Sequence, residues 1–162
     1  MTWTQKIKRG FWSFFLYPIF PYVEHFFVFI HKRTRQRFHI GWLSPETTLE
    51  AMKEHLSKKY GFGNHFIAWE DPGQILSWRK LDGFEYQFHL RVFADGEIRG
   101  HYEKTPEASP LKHFFEKGER SCNKAMRAFL GPHVTKHRYI QNPPLTHTLK
   151  QDAEIRFVPA EK

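Results

Sequence analysis

Four side chains carry the strongest chemical signal in this 162-residue chain: His89, Arg91, Arg99 and His101. They lie in two stretches rich in aromatic and β-branched residues, joined by Ala94-Asp95-Gly96. A three-residue hairpin loop with Gly96 left-handed pairs Phe93 with Glu97. Val92 then faces Ile98, Leu90 faces Gly100, and Phe88 faces Tyr102. On the opposite face Arg91 meets Arg99, His89 meets His101, and Gln87 meets Glu103. A two-residue turn would slip the pairing by one and set Arg99, His101 and Glu103 beside Val92, Leu90 and Phe88. Burial opposes that arrangement.

Two kinds of chemistry fit the polar face. Like charges directly across a ladder destabilise it by roughly 0.2–1 kcal/mol, and an anion between Arg91 and Arg99 would offset that. Guanidinium forks suit phosphate or carboxylate. The candidate anion site is therefore His89, Arg91, Arg99, His101, Gln87 and Glu103, on a face expected to be open. With Trp69 and Ile67 as an apolar flank, it suits a phosphorylated ligand or single-stranded nucleic acid. The alternative is a metal site. His89, His101 and Glu103 supply two imidazoles and a carboxylate, a donor set for zinc or iron, from which a metal-dependent hydrolase would follow. The plainest reading is a solvated face crossed by ion pairs such as Arg79–Glu85. Nothing else in the sequence names a cofactor.

The elements that position these residues are read from the turns. Leu81-Asp82-Gly83 pairs Trp78 with Tyr86 and Leu76 with Phe88, leaving Arg79 opposite Glu85 and Ser77 opposite Gln87. Asp71-Pro72-Gly73 pairs Ala68 with Leu76 and Phe66 with Trp78, with His65, Ile67 and Trp69 outward. Strands are expected at roughly 65–70, 74–80, 84–93 and 97–104. A shorter strand from Phe38 to Trp42 precedes them. Ser44-Pro45 predicts a helix start, with Leu49, Met52, Leu56 and Tyr60 at helical spacing and Gly61 as the stop. A second helix is expected from Ser109-Pro110 to Gly131-Pro132. Its stripe is Leu111, Phe114, Phe115, Cys122, Ala125, Met126, Phe129 and Leu130, and Gly118 marks a bend. The fold class is α+β: an antiparallel β-meander of four to five strands with two helices packed on one face.

Length predicts one domain over 38–131, an aromatic and basic segment over 1–37, and a basic, polar tail over 132–162. The formal charge of +8 favours anionic partners. The single cysteine, Cys122, excludes an intrachain disulfide and fits a reduced, cytoplasmic setting. Residues 11–30 are half Phe, Trp or Tyr, flanked by Lys6, Lys8 and Arg9 and by Lys32, Arg33, Arg35 and Arg37. Pro18, Pro21 and Glu24-His25 argue against a spanning helix. An anchor at the cytoplasmic membrane surface is expected instead, through Phe11, Trp12, Phe14, Phe15, Phe26 and Phe27.

Other motifs fail. There is no glycine-rich phosphate loop and no nucleophile elbow. His55-Leu56-Ser57 and His133-Val134-Thr135 sit in and after helices, where the paired His-x-Ser/Thr of a cyclic phosphodiesterase needs facing strands. The reading is of a small basic binding module for an anionic group, not an enzyme, near a membrane surface. A metal-dependent hydrolase and a protein–protein scaffold are the alternatives.

Overall fold

A computed structural model gives the structure of the chain. It describes residues 2–11, 15, 19, 38–63, 71–105, 107–108, 120–139, 141 and 144–145. The elements are α1 (Trp3–Phe11), β1 (Phe38–Leu43), α2 (Leu49–Tyr60), β2 (Gln74–Asp82), β3 (Tyr86–Phe93), β4 (Glu97–Lys104), α3 (Asn123–Leu130) and β5 (Val134–Thr135). The strands form one antiparallel sheet in the order β2-β3-β4-β1-β5. The architecture is the expected α+β meander.

The β3–β4 hairpin has the register read from its turn. Val92 lies opposite Ile98, Leu90 opposite Gly100, Arg91 opposite Arg99, His89 opposite His101 and Gln87 opposite Glu103. Gly96 is left-handed at φ 88°. The β2–β3 pairing differs from expectation. Trp78 lies opposite Leu90, not Tyr86, and Ser77 and Arg79 lie opposite Arg91 and His89. The cause is Asp82, which stays in the ladder opposite Tyr86 and accepts a 2.8 Å hydrogen bond from the Tyr102 hydroxyl. The turn therefore moves on to residues 83–85. Because the slip is even, the faces survive it: Leu76 and Trp78 still point to the core, Ser77 and Arg79 away from it. The expected strand at 65–70 lies outside the described residues, though Gly63 bridges Arg79.

On the apolar face, α2 and α3 bury Leu49, Met52, Leu56, Met126 and Leu130 against Ile40, Leu43, Leu76, Trp78, Leu90, Val92 and Ile98. Each such side chain contributes roughly 1.5–3 kcal/mol on burial. Helix α2 starts later than Ser44-Pro45. Its cap is Thr48, whose hydroxyl accepts from Ala51 N at 3.1 Å, and Gly61 closes it. Helix α3 is shorter than expected. Arg120 pairs with Tyr102 in an isolated bridge, so no unbroken helix runs from 110 to 130. Residues 109–119, including Gly118, lie outside the described residues.

Two irregularities lock α3 and β5 onto β1. A bulge between His39 and Gly41 takes Ile40 out of register. Its carbonyl accepts Arg127 Nε and Nη2 at 2.8 and 2.6 Å, while Asn123 Nδ2 donates to His39 O at 3.0 Å. Beyond α3, Val134 and Thr135 pair with Leu43 and Trp42. Their backbone passes so near Gly41 that a Cβ there would lie 2.5 Å from Thr135 O.

Candidate functional site

Strand alternation delivers the polar residues of β2, β3 and β4 to one face. That face is buried, which corrects the expectation of an open one. Ser77, Arg79, Gln87, Arg91, His101 and Glu103 are all under a tenth exposed, and His101 is fully buried. The pairing pattern fixed which side these groups share but carried no information on what covers that side. Part of the cover comes from the segment after β4. Thr105 donates through its backbone N to Glu85 O and through its hydroxyl to Phe84 O, and Glu107 follows as a buried carboxylate.

A chain of hydrogen bonds runs across the buried layer. Arg79 Nη2 donates to Glu107 Oε1 at 2.9 Å, in place of the expected pair with Glu85. Arg79 Nη1 donates to Gln87 Oε1 at 2.9 Å. Gln87 Nε2 donates onward to Glu103 Oε1 at 2.7 Å. That same oxygen lies 3.4 Å from His89 Nδ1 and 3.3 Å from His101 Nε2. The two rings are 5.1 Å apart, and His89 Nε2 lies 2.9 Å from Ser77 Oγ. Burial, reinforced by the nearby Arg91 charge, holds the His89 imidazole well below its usual pKa. His89 is therefore neutral at pH 7, the form in which imidazole ligates metals.

The arginines take other partners. Arg91 Nε lies 3.9 Å from Asp71 Oδ2. Arg99 is at the rim, 40% exposed, donating to Glu97 Oε2 at 2.6 Å and stacking over Phe93. Glu97 also meets His39 Nδ1 at 2.9 Å. Burial alone would raise the Glu97 carboxyl, but these two bonds hold it below its usual value. Of the six residues expected to bind an anion, five share the buried layer and Arg99 stands apart from it.

Three donors come together: His89, His101 and Glu103 place their ligand atoms within 4.8 Å of one another. Tetrahedral coordination at about 2.0–2.2 Å separates neighbouring donors by about 3.4 Å, which matches both carboxylate–imidazole distances. Three other members of the layer escaped sequence reading. Glu107 lies beyond the last strand, where no periodicity applies. Gln74 was hidden by the bulge after it, and Asp71 belongs to a turn. Gln74 is 4% exposed, and its amide oxygen and nitrogen both lack a hydrogen-bond partner.

Of the expected membrane anchors, Phe11 and Phe15 are about half exposed, and Trp12, Phe14, Phe26 and Phe27 lie outside the described residues. Among the described residues no helix is long and apolar enough to cross a membrane. Cys122 is buried and free, its thiol pushed up to about 11 by burial. Compared with known proteins, the chain matches no family model, no curated protein and no solved structure.

Proposed function

We propose that this domain is a metal-binding module whose buried sheet face holds a zinc-class cation on His89, His101 and Glu103. The observation that carries the reading is the convergence of three donor atoms within 4.8 Å, with carboxylate-to-imidazole distances of 3.3 and 3.4 Å. Those two spacings lie at the long end of N–H···O bonds and match the separation of neighbouring ligands on one ion. The surroundings support it as well. Ser77 orients His89 through its second nitrogen, and Gln87 fixes the Glu103 carboxylate, as partners of metal ligands commonly do. Among the described residues the donors number three, the protein complement that reactive zinc sites use with water or a ligand oxygen in the fourth position.

The test is metal content and stability together. Protein loaded with Zn²⁺ and desalted should retain one equivalent, and its melting temperature should rise with free Zn²⁺, since binding to the folded state alone adds about 2.7 kcal/mol at a hundredfold excess over Kd. His89→Gln, at the most accessible ligand, and Glu103→Gln should each abolish retention. A chain that keeps no Zn²⁺, Co²⁺, Mn²⁺ or Fe²⁺, with an unmoved melting temperature, sinks the proposal.

A second reading keeps an anionic ligand on this face, favoured by Gln74. Its unpartnered amide is buried at the corner where its backbone N donates to Asp71 O and where Arg91 approaches the Asp71 carboxylate. An oxyanion there would take one amide N–H and share the Arg91 guanidinium. Thermal shift with phosphate and with small carboxylates, on wild type and Gln74→Leu, decides it. A shift in both proteins, or in neither, removes this reading.

A further inference from the structure

Exposed apolar side chains among the described residues gather near the amino terminus. Among the described residues the large exposed hydrophobics are Trp3, Ile7, Phe11, Phe15, Ile19 and Tyr139. The first three fall at i, i+4 and i+8 of α1, so they form one stripe along that helix. Trp3 is 77% exposed and Ile7 49%. Phe15 continues the stripe, its ring 5.2 Å from that of Phe11. Lys6 and Lys8 are exposed beside it, and no acidic residue occurs in the chain before Glu24. The helix also carries its own start signal. Thr2 N donates to Gln5 Oε1 at 2.8 Å and Gln5 N donates to Thr2 Oγ1 at 3.3 Å, a reciprocal capping box made without a carboxylate.

From this we infer that α1 is an in-plane anchor for an anionic bilayer, its Trp3-Ile7-Phe11 stripe lying among the lipid headgroups and acyl ends and its lysines against lipid phosphates. The described helix fits an in-plane orientation: its nine residues make about 14 Å, against a hydrocarbon core of about 30 Å, and among the described residues no helix is long and apolar enough to cross a membrane. Charge selects the occupant. A stripe of Trp, Ile and Phe beside lysines, with no acid, complements an anionic lipid surface. The aromatic run of residues 11–30 and the basic residues Lys32, Arg33, Arg35 and Arg37 extend the same composition along the chain. The anchor thus begins nearer the amino terminus than composition alone suggests.

Flotation of the full chain with vesicles tests this. The protein should rise with vesicles of phosphatidylcholine mixed with phosphatidylglycerol, much less with phosphatidylcholine alone, and the bound fraction should fall as NaCl is added. The triple variant Trp3→Ser/Ile7→Ser/Phe11→Ser should bind at least about tenfold more weakly. Lys6→Glu/Lys8→Glu should lose the preference for anionic vesicles. Unchanged far-UV circular dichroism shows that the variants remain folded. Equal flotation on both vesicle types, or a triple variant that floats like wild type, overturns the inference. So does a wild-type dimer in lipid-free buffer that the triple variant dissolves, because the stripe is then covered by a second copy.

Discussion

Glu103 lies between two imidazoles inside the protein, and a carboxylate there is stabilised by ring N–H groups or by a cation shared with the rings. The hydrogen-bond chain from Glu107 through Arg79 and Gln87 holds the carboxylate in place for either. Another histidine behaves more simply. His133 Nδ1 lies 2.6 Å from Thr47 Oγ1, and its ring is 4.7 Å from His55. Burial, then the neighbouring His55 imidazole, lowers the His133 pKa below its usual value. The unfolded chain therefore takes up this proton first as pH falls. The stability it contributes is complete above the unfolded value and is lost as pH drops from there through the folded value. Urea midpoints of wild type should fall as the pH drops through the ordinary imidazole value and below it, and His133→Gln should shrink that fall. An identical fall in both proteins would place the acid sensitivity elsewhere.

At the scale of elements, what was legible in the sequence was side-chain parity rather than register. The β2–β3 turn lies later than Leu81-Asp82-Gly83 indicates, since Tyr102 on β4 draws Asp82 into the ladder, a contact between distant segments that no local pattern contains. The slip is even, so Ser77 and Arg79 still join His89 and Glu103 on one face, and the candidate site was legible despite the wrong partners. Its burial was not legible, because the cover includes Glu107, from an irregular segment. The shortened α3 has a similar cause: Arg120 pairs with Tyr102 and interrupts the apolar stripe. Glycine at 41 was readable only as a weak strand residue, whereas the structure gives it a steric role. Gly41→Ala would force Cβ into Thr135 O and Val134 Cγ2, at 2.5 and 2.6 Å, and overpacking of this kind costs about 1–3 kcal/mol. Chemical denaturation should show that loss, and hydrogen exchange should show weakened protection of the β1–β5 pairing. An alanine variant as stable as wild type would mean that β5 sits more loosely than its close approach implies.

Over the whole molecule, the two proposed activities draw on opposite ends of the polarity scale and on separate parts of the chain. The proposed metal ligands are polar groups that the fold takes largely out of water, His101 completely, while the α1 stripe is apolar surface left in water. The net charge of +8 does not choose between the two, since charge acts at long range and is screened by salt. Energetic coupling between sites requires a shared element with two arrangements. No such element is needed for either activity here, so the two should be additive. Glu103→Gln should lose Zn²⁺ yet float with anionic vesicles as wild type does. Trp3→Ser/Ile7→Ser/Phe11→Ser should lose flotation yet keep one equivalent of Zn²⁺. The combined variant should lose both and still unfold cooperatively. If lipid binding instead changes Zn²⁺ affinity, or Zn²⁺ changes flotation, the amino-terminal segment must contact the buried face in one of its states, and the view of an independent anchor carried beside a metal-binding domain fails.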